Sequence, residues 1–276
     1  MREPLARLTI HFIGGPLALE LPPTLHSRLT EFYSPFLTDE PAQARVAFDQ
    51  RPPVSYNIEL CLRITYPEAE GRRVIREPRF ELSPDDAGAR VKFCTRAFQD
   101  ADFILRAWAA MLLLPPEGFV FHAAGLVTPA GRGVLVCGRS GSGKSTLAGN
   151  LAESPGWSVL SDEMPAVRRE PGGWSIGFTP FWGDAEHRMP GTRDARLRGI
   201  CALEQGDGPA LEPMSPADGA ALLLGSVTSY EPPPWFADAV LPFAADISRS
   251  LPFHRLTVPR SFDAARLAEL FDEGGA

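Results

Sequence analysis

Of the 27 lysine and arginine residues in this 276-residue chain only two are lysine, and one of them, Lys144, closes the run Gly138-Arg139-Ser140-Gly141-Ser142-Gly143-Lys144-Ser145. The run has the G-x-x-x-x-G-K-[ST] form of a P-loop. In such a loop the glycines let backbone N–H groups converge on phosphate oxygens. The lysine carries its charge to the β- and γ-phosphates, and the following hydroxyl ligates Mg²⁺. The expected ligand is a nucleoside triphosphate.

The motif needs a strand before it and a helix after it, because a helix N-terminus adds partial positive charge and unpaired N–H groups under the phosphates. Val134-Leu135-Val136-Cys137 is a short apolar run that reads as a buried strand, and Ser145 to Ala152 continues as a helix. Upstream, Phe119 to Val127 reads as one strand joined to the loop's strand by the turn-rich Thr128 to Gly133, which predicts an antiparallel hairpin. With Val127 opposite Val134, the residue facing His122 falls near position 139, inside the loop. His122 is thereby a candidate phosphate neighbour, the alternative being a core histidine.

Downstream, Trp157-Ser158-Val159-Leu160 reads as a strand ending in Ser161-Asp162-Glu163, 18 residues after Lys144. A β-α-β unit makes this strand parallel to the loop's strand and sets Asp162 and Glu163 at the same sheet edge. Carboxylates there can hold Mg²⁺, and Asp162 can accept a proton from an attacking oxygen; a turn or helix-cap pair is the alternative. The arginines at 188, 193, 196 and 198 are read as transition-state charge or a lid, with Arg198 the catalytic candidate, or else as a solvated charged loop. Phe178-Thr179-Pro180-Phe181-Trp182-Gly183 lines a base or substrate pocket or packs the core. His187 follows it without an evident partner.

The short spacing from Lys144 to Asp162, with no L-S-G-G-Q-like signature, argues against ABC-type and AAA-type ATPases and for a kinase acting on a hydroxyl. The residues resemble a family at this point. His122 in Phe-His-Ala-Ala-Gly, the hairpin into Gly-Arg-Ser-Gly-Ser-Gly-Lys-Ser, and Leu-Ser-Asp-Glu together resemble the catalytic domain of HPr kinase/phosphorylase and related serine kinases. The core of that family is in turn similar to the nucleotide domain of ATP-dependent phosphoenolpyruvate carboxykinase. The likeness covers roughly residues 118 to 165, and Leu197-Arg198-Gly199-Ile200 is similar to the family's Ile-Arg-Gly-Leu-Gly segment.

The resemblance implies ATP phosphates on Gly138, Arg139, Ser140, Gly141, Ser142, Gly143, Lys144, Ser145 and Thr146. It implies Mg²⁺ at Ser145 with Asp162 and Glu163, Asp162 as proton acceptor, and His122 orienting the transferring phosphoryl group. The chain departs from the family at three places. Thr146 stands where the family has glutamate, Asp162-Glu163 where it has paired aspartates, and Arg196 where it has a Mg²⁺-binding glutamate. The metal shell therefore differs. Related kinases encoded beside ribosomal-peptide biosynthesis enzymes modify a peptide hydroxyl, a comparable role for this chain.

The expected fold is α/β, a P-loop domain over 100–276 preceded by a smaller β-rich α+β domain over 1–99. In the first part a hairpin (Leu8 to Ile13, Leu17 to Leu21), a helix (Leu25 to Tyr33) and strands at Arg45 to Phe48, Ile58 to Ile64, Val74 to Leu82 and Arg90 to Cys94 are expected. That half positions something or pairs with another subunit; His11 and His26 within it are read as structural. Asp100 to Leu114 reads as a helix ending at Pro115-Pro116, and Leu251 to Val258 with Phe262 to Phe271 as a last strand and helix.

A net charge of −7 argues against nucleic acid as partner, and Cys61, Cys94, Cys137 and Cys201 lie at neither disulfide-framework nor zinc spacing. Ile104 to Leu114, the most apolar stretch, is too short to span a membrane, and a cytoplasmic protein is expected. The reading is an ATP- and Mg²⁺-dependent kinase for a serine-type hydroxyl of a protein or peptide. The alternatives are a small-metabolite kinase, against which about 130 residues precede the P-loop, and a non-catalytic ATP sensor.

Overall fold

The computed structural model describes residues 5–50, 64–69, 71–77, 79–93, 98–183 and 188–274. The fold is mixed α/β with several sheets. It divides into two compact units, Met1–Leu113 with Ser229–Pro234, and Leu114–Thr228 with Trp235–Ala276. No helix among the described residues is long and apolar enough to cross a membrane.

In the first unit, β1 (Ala6–Phe12) and β2 (Gly15–Leu21) form the expected hairpin, with Phe12 opposite Gly15. Alternation sends Leu8, Ile10 and Phe12 to the buried face. Helix α1 (Pro23–Phe32) then crosses over, so that β3 (Ala44–Gln50) lies parallel to β2. The short β4 (Glu68–Ala69) and β5 (Arg72–Arg73) pair with each other. Strands β6 (Ile75–Glu77), β7 (Phe80–Asp85) and β8 (Gly88–Phe93) complete a sheet of order β1-β2-β3-β8-β7-β6.

The stretch expected as one strand from Val74 to Leu82 is thus a hairpin. The cause is local: the Arg79 amide and guanidinium both donate to the Glu77 carboxylate, at 2.7 and 2.8 Å, and fold the chain back. The strand expected at Ile58 to Ile64 lies outside the described residues apart from Ile64.

Helix α2 (Phe98–Trp108) and the π-helical turn Ala109–Leu113 belong to this first unit, so the division falls later than 99/100. Packing explains the shift. Trp108 stacks on Phe12 with ring centroids 5.9 Å apart, and the buried Tyr33 hydroxyl donates to Asp102 at 2.6 Å. Burial, and then the Asp102 charge, push the Tyr33 phenol well above its ordinary range.

The second unit is organised around one long strand. β9 (Gly118–Val120), β10 (Ala123–Val127), β11 (Gly133–Cys137), β12 (Ser158–Ser161), β13 (Ala166–Glu170), β14 (Gly173–Gly177), β15 (Asp194–Gln205), β16 (Ala210–Pro213) and β17 (Phe253–Val258) form a nine-stranded sheet. β15 pairs β14 along its first residues. Beyond them it lies between β11 and β17, parallel to both.

The β10/β11 hairpin is antiparallel with Leu126 opposite Val134 and Ala123 opposite Cys137, one residue from the expected register. β12 pairs β10 and not β11. The two strands joined by helix α3 (Lys144–Ala152) therefore run in the same direction with β10 inserted between them. Helices α4 (Pro216–Ser226), α5 (Pro234–Ser250) and α6 (Ala264–Glu273) complete the unit; Ser215 and Asp263 cap α4 and α6 through Asp218 and Ala265 amides. Phe243 of α5 anchors the core against Phe119 and Trp174, each with ring centroids 4.8 Å away. Edge-to-face pairs of this kind add about 0.5–1.5 kcal/mol each beyond area burial.

Candidate active site

Strand direction decides which residues meet. β11, β15 and β17 run in parallel, and β12 points the same way across β10. One sheet edge therefore collects the glycine-rich loop after β11, the acidic turn after β12, and the ends of β15 and β17. β10 runs the other way and begins at this edge, just after His122.

The loop hands directly to α3. Gly143, the residue preceding the helix, holds φ = 100°, a left-handed conformation that strains any residue with a Cβ. The first helical hydrogen bond runs from Leu147 N–H to Gly143 O at 2.8 Å, and no side chain caps this end. The amides of the first turn are consequently left for an anion. Lys144, 6% exposed as a residue, lies across the loop, and its ammonium donates to the Gly138 and Arg139 carbonyls at 2.9 and 3.2 Å. Burial lowers its pKa, while Cys137, Asp162 and Glu163 act in the opposite direction. Beneath it, the buried Cys137 thiol is pushed up to about 11 by desolvation and is inert as a nucleophile at neutral pH.

The acidic turn is built by its neighbours. Ser161 donates to Phe181 O at 2.6 Å and accepts from the Glu163 and Met164 amides at 3.1 and 2.8 Å. That triple use of one hydroxyl folds the chain sharply after β12. Asp162 is 1% exposed, and its Oδ1 accepts from Gly183 N–H at 2.8 Å. A Cβ on Gly183 would lie 3.2 Å from Asp162 Oδ2, a tight contact that glycine relieves. Ser161 and Gly183 hold this turn, a role the sequence pattern did not assign to either. A serine preceding Asp-Glu at a strand end was the available signal for the first; nothing local marked the second.

The stretch expected as one strand from Phe119 to Val127 breaks at Phe121-His122. β9 pairs β13 on one side of the break, and β10 pairs β11 and β12 on the other. The His122 amide donates to Ser226 O at 2.7 Å, and the Ala123 amide to Glu163 O at 3.1 Å. Continuing the register one step past Ala123 and Cys137 sets His122 across from Gly138. The imidazole is exposed. Partial desolvation and then the Lys144 charge lower its pKa, opposed by Glu163 and Asp162. His122, Lys144, Asp162 and Glu163 therefore share one electrostatic neighbourhood.

Arg198 is not brought to this edge by the backbone: Leu197 lies opposite Gly133 and Ala202 opposite Cys137, so Arg198, in β15, is level with the start of β11. At the rise of a strand it is about 13 Å from the loop that follows Cys137. Arg196 bonds Gly172 O on the same far side, and Arg188 pairs with Glu153, beyond the C-terminal end of α3, at 2.7 Å. In the 178–183 segment Phe178, Phe181 and Trp182 are all buried, as core packing requires. His187 lies outside the described residues.

Among the described residues no group of three or more His, Cys, Asp or Glu side chains is placed to hold a metal alone. Mg²⁺ is commonly held by one or two carboxylates together with substrate phosphates. Asp162 and Glu163 are two carboxylates at the sheet edge that also carries the loop.

Residues 110–237 match the family described as SynChlorMet cassette protein ScmC. No curated protein matches the chain. Among solved structures, the HPr(Ser) kinase/phosphatase from Coxiella burnetii is a neighbour at 12% identity and a TM-score of 0.32, over 56% of this chain and 95% of that one.

Proposed function

We propose that this protein is an ATP- and Mg²⁺-dependent kinase transferring the γ-phosphoryl group to a serine-type hydroxyl of a protein or peptide. The observation that carries the reading is the meeting, at one sheet edge, of an uncapped glycine-rich loop bearing a buried lysine with a buried carboxylate turn. Backbone amides of the loop and of the first turn of α3 hold the phosphates. Lys144 exchanges its two carbonyl acceptors for phosphate oxygens.

Asp162, held through Oδ1 by the Gly183 amide, takes the proton of the substrate hydroxyl as the new O–P bond forms. The bond between the γ-phosphorus and the β-bridging oxygen breaks, and ADP leaves. Ser145 with Asp162 and Glu163 would hold Mg²⁺, which when bound would neutralise charge on the phosphates. His122, neutral in the free protein, hydrogen-bonds the transferring group and gains proton affinity from the incoming phosphate charge.

The test is transfer of label from γ-labelled Mg-ATP into lysate of the source organism by the wild-type chain, Lys144→Ala and Asp162→Asn. An acid-stable labelled protein or peptide that is lost in both variants is expected. Label only in a small metabolite or in free phosphate overturns the protein-hydroxyl assignment, and ATP binding without turnover in the wild type overturns catalysis.

A further inference from the structure

A cavity of about 380 Å³ opens beside the glycine-rich loop on the flank away from the acidic turn. Its floor comes from α3 and from the ends of β15 and β17, with Leu147, Leu203 and Val258 as buried apolar wall. Around the rim stand the Gln205 amide, the Arg260 guanidinium and the Phe262 ring, the amide and the ring being groups a phosphate site does not need. We infer that this cavity is the subsite for the base and ribose of the phosphate donor. The inference rests on the nucleotide reading of Gly138 to Ser145 and adds to it where the nucleoside lies and which residues hold it.

Direction is the first argument. The transferring end of a triphosphate must face Asp162 and His122, which come from β12 and the start of β10. The α-phosphate then leaves the loop on the opposite flank, over the first turn of α3. Thr146 of that turn and Gly143 before it both line the cavity. The cavity also touches the loop directly, since a Cβ on Gly143 would lie 3.8 Å from Gln205 Nε2.

Chemistry is the second argument. An aromatic ring and a planar guanidinium offer faces to a heterocyclic base, apolar wall takes its edges, and an amide provides both donor and acceptor. The volume lies within the range of small-ligand pockets. Topology is the third. Ligands of open α/β sheets bind beyond the carboxyl ends of parallel strands, and β11, β15 and β17 are the three parallel neighbours here.

The experiment is calorimetric titration of the full chain with Mg-ATP and, separately, with inorganic tripolyphosphate. The variants are Phe262→Ala, Arg260→Ala and Gln205→Trp, the last filling the cavity from an exposed position. Unchanged far-UV spectra and melting curves confirm folding, and the exposed positions 205 and 260 keep the test valid if Phe262→Ala does not fold. The wild type is expected to bind ATP more tightly than tripolyphosphate. Phe262→Ala and Gln205→Trp are expected to weaken ATP about tenfold or more while leaving tripolyphosphate within about twofold. Equal losses for both probes, or unchanged ATP affinity in all three variants, overturn the subsite. A wild type that binds neither probe overturns the nucleotide reading itself, and the subsite with it.

Discussion

The two flanks of the glycine-rich loop are built on different plans. On the β10/β12 flank the polar groups are tied down: Asp162 is buried and held by Gly183, and Ser161 closes the turn with three hydrogen bonds. On the β15/β17 flank, Gln205 and Arg260 stand exposed around an open cavity. The contrast teaches where geometry is exacting. A group that takes a proton during bond making must be held to a fraction of an ångström, and in the proposed reading that is the rigid flank. Recognition of a nucleoside tolerates adjustment, and that is the open one.

Mutations that separate the flanks would sharpen or break this contrast. Asp162→Asn should lower turnover by about a thousandfold while ATP affinity stays within about threefold, measured by steady-state kinetics and calorimetry. A matching loss of affinity would show that the rigid flank does the binding too. Lys144→Ala serves both flanks and should weaken ATP and tripolyphosphate alike by about a hundredfold, the worth of lost charge-assisted hydrogen bonds.

Gly143→Ala should cost about 1–2 kcal/mol of stability in chemical denaturation, because alanine must adopt φ = 100° before α3. His122 should titrate below the ordinary histidine value in the free protein, read by imidazole NMR. Since its folded pKa is depressed, its contribution to stability is present above the ordinary value and is lost as pH falls through the folded one. Triphosphate binding should move that titration upward. The smallest effect is expected from Arg198→Ala, with turnover within about twofold of wild type; a large loss would overturn its separation from the loop.

Much of the rigid flank could be read in advance because its determinants are short-range. The β10/β11 turn closes over a few residues, so the hairpin register was off by a single step and His122 still falls beside the loop. Asp162 ends an apolar run after one helix, and a parallel return follows from elementary chain geometry. The insertion of β10 between β11 and β12 was not anticipated, but it leaves their relative direction unchanged. The placement of Arg198 was not legible for the opposite reason. Its place in the sequence, after the acidic turn, carries no information about which end of a long strand it occupies.

What the sequence by itself determined is therefore the loop, its flanking strand and helix, and the identity of the residues at the acidic turn, because glycine torsions, apolar periodicity and capping chemistry act within a few residues of each other. What only the tertiary structure decided is the company those residues keep. The parallel pairing of β11 with β15 and of β15 with β17 joins segments separated by long stretches of chain. That pairing sends Arg198 away from the loop and brings Gln205, Arg260 and Phe262 beside it. Sheet order is settled by the burial of whole faces, and no local pattern encodes which distant strand will cover which.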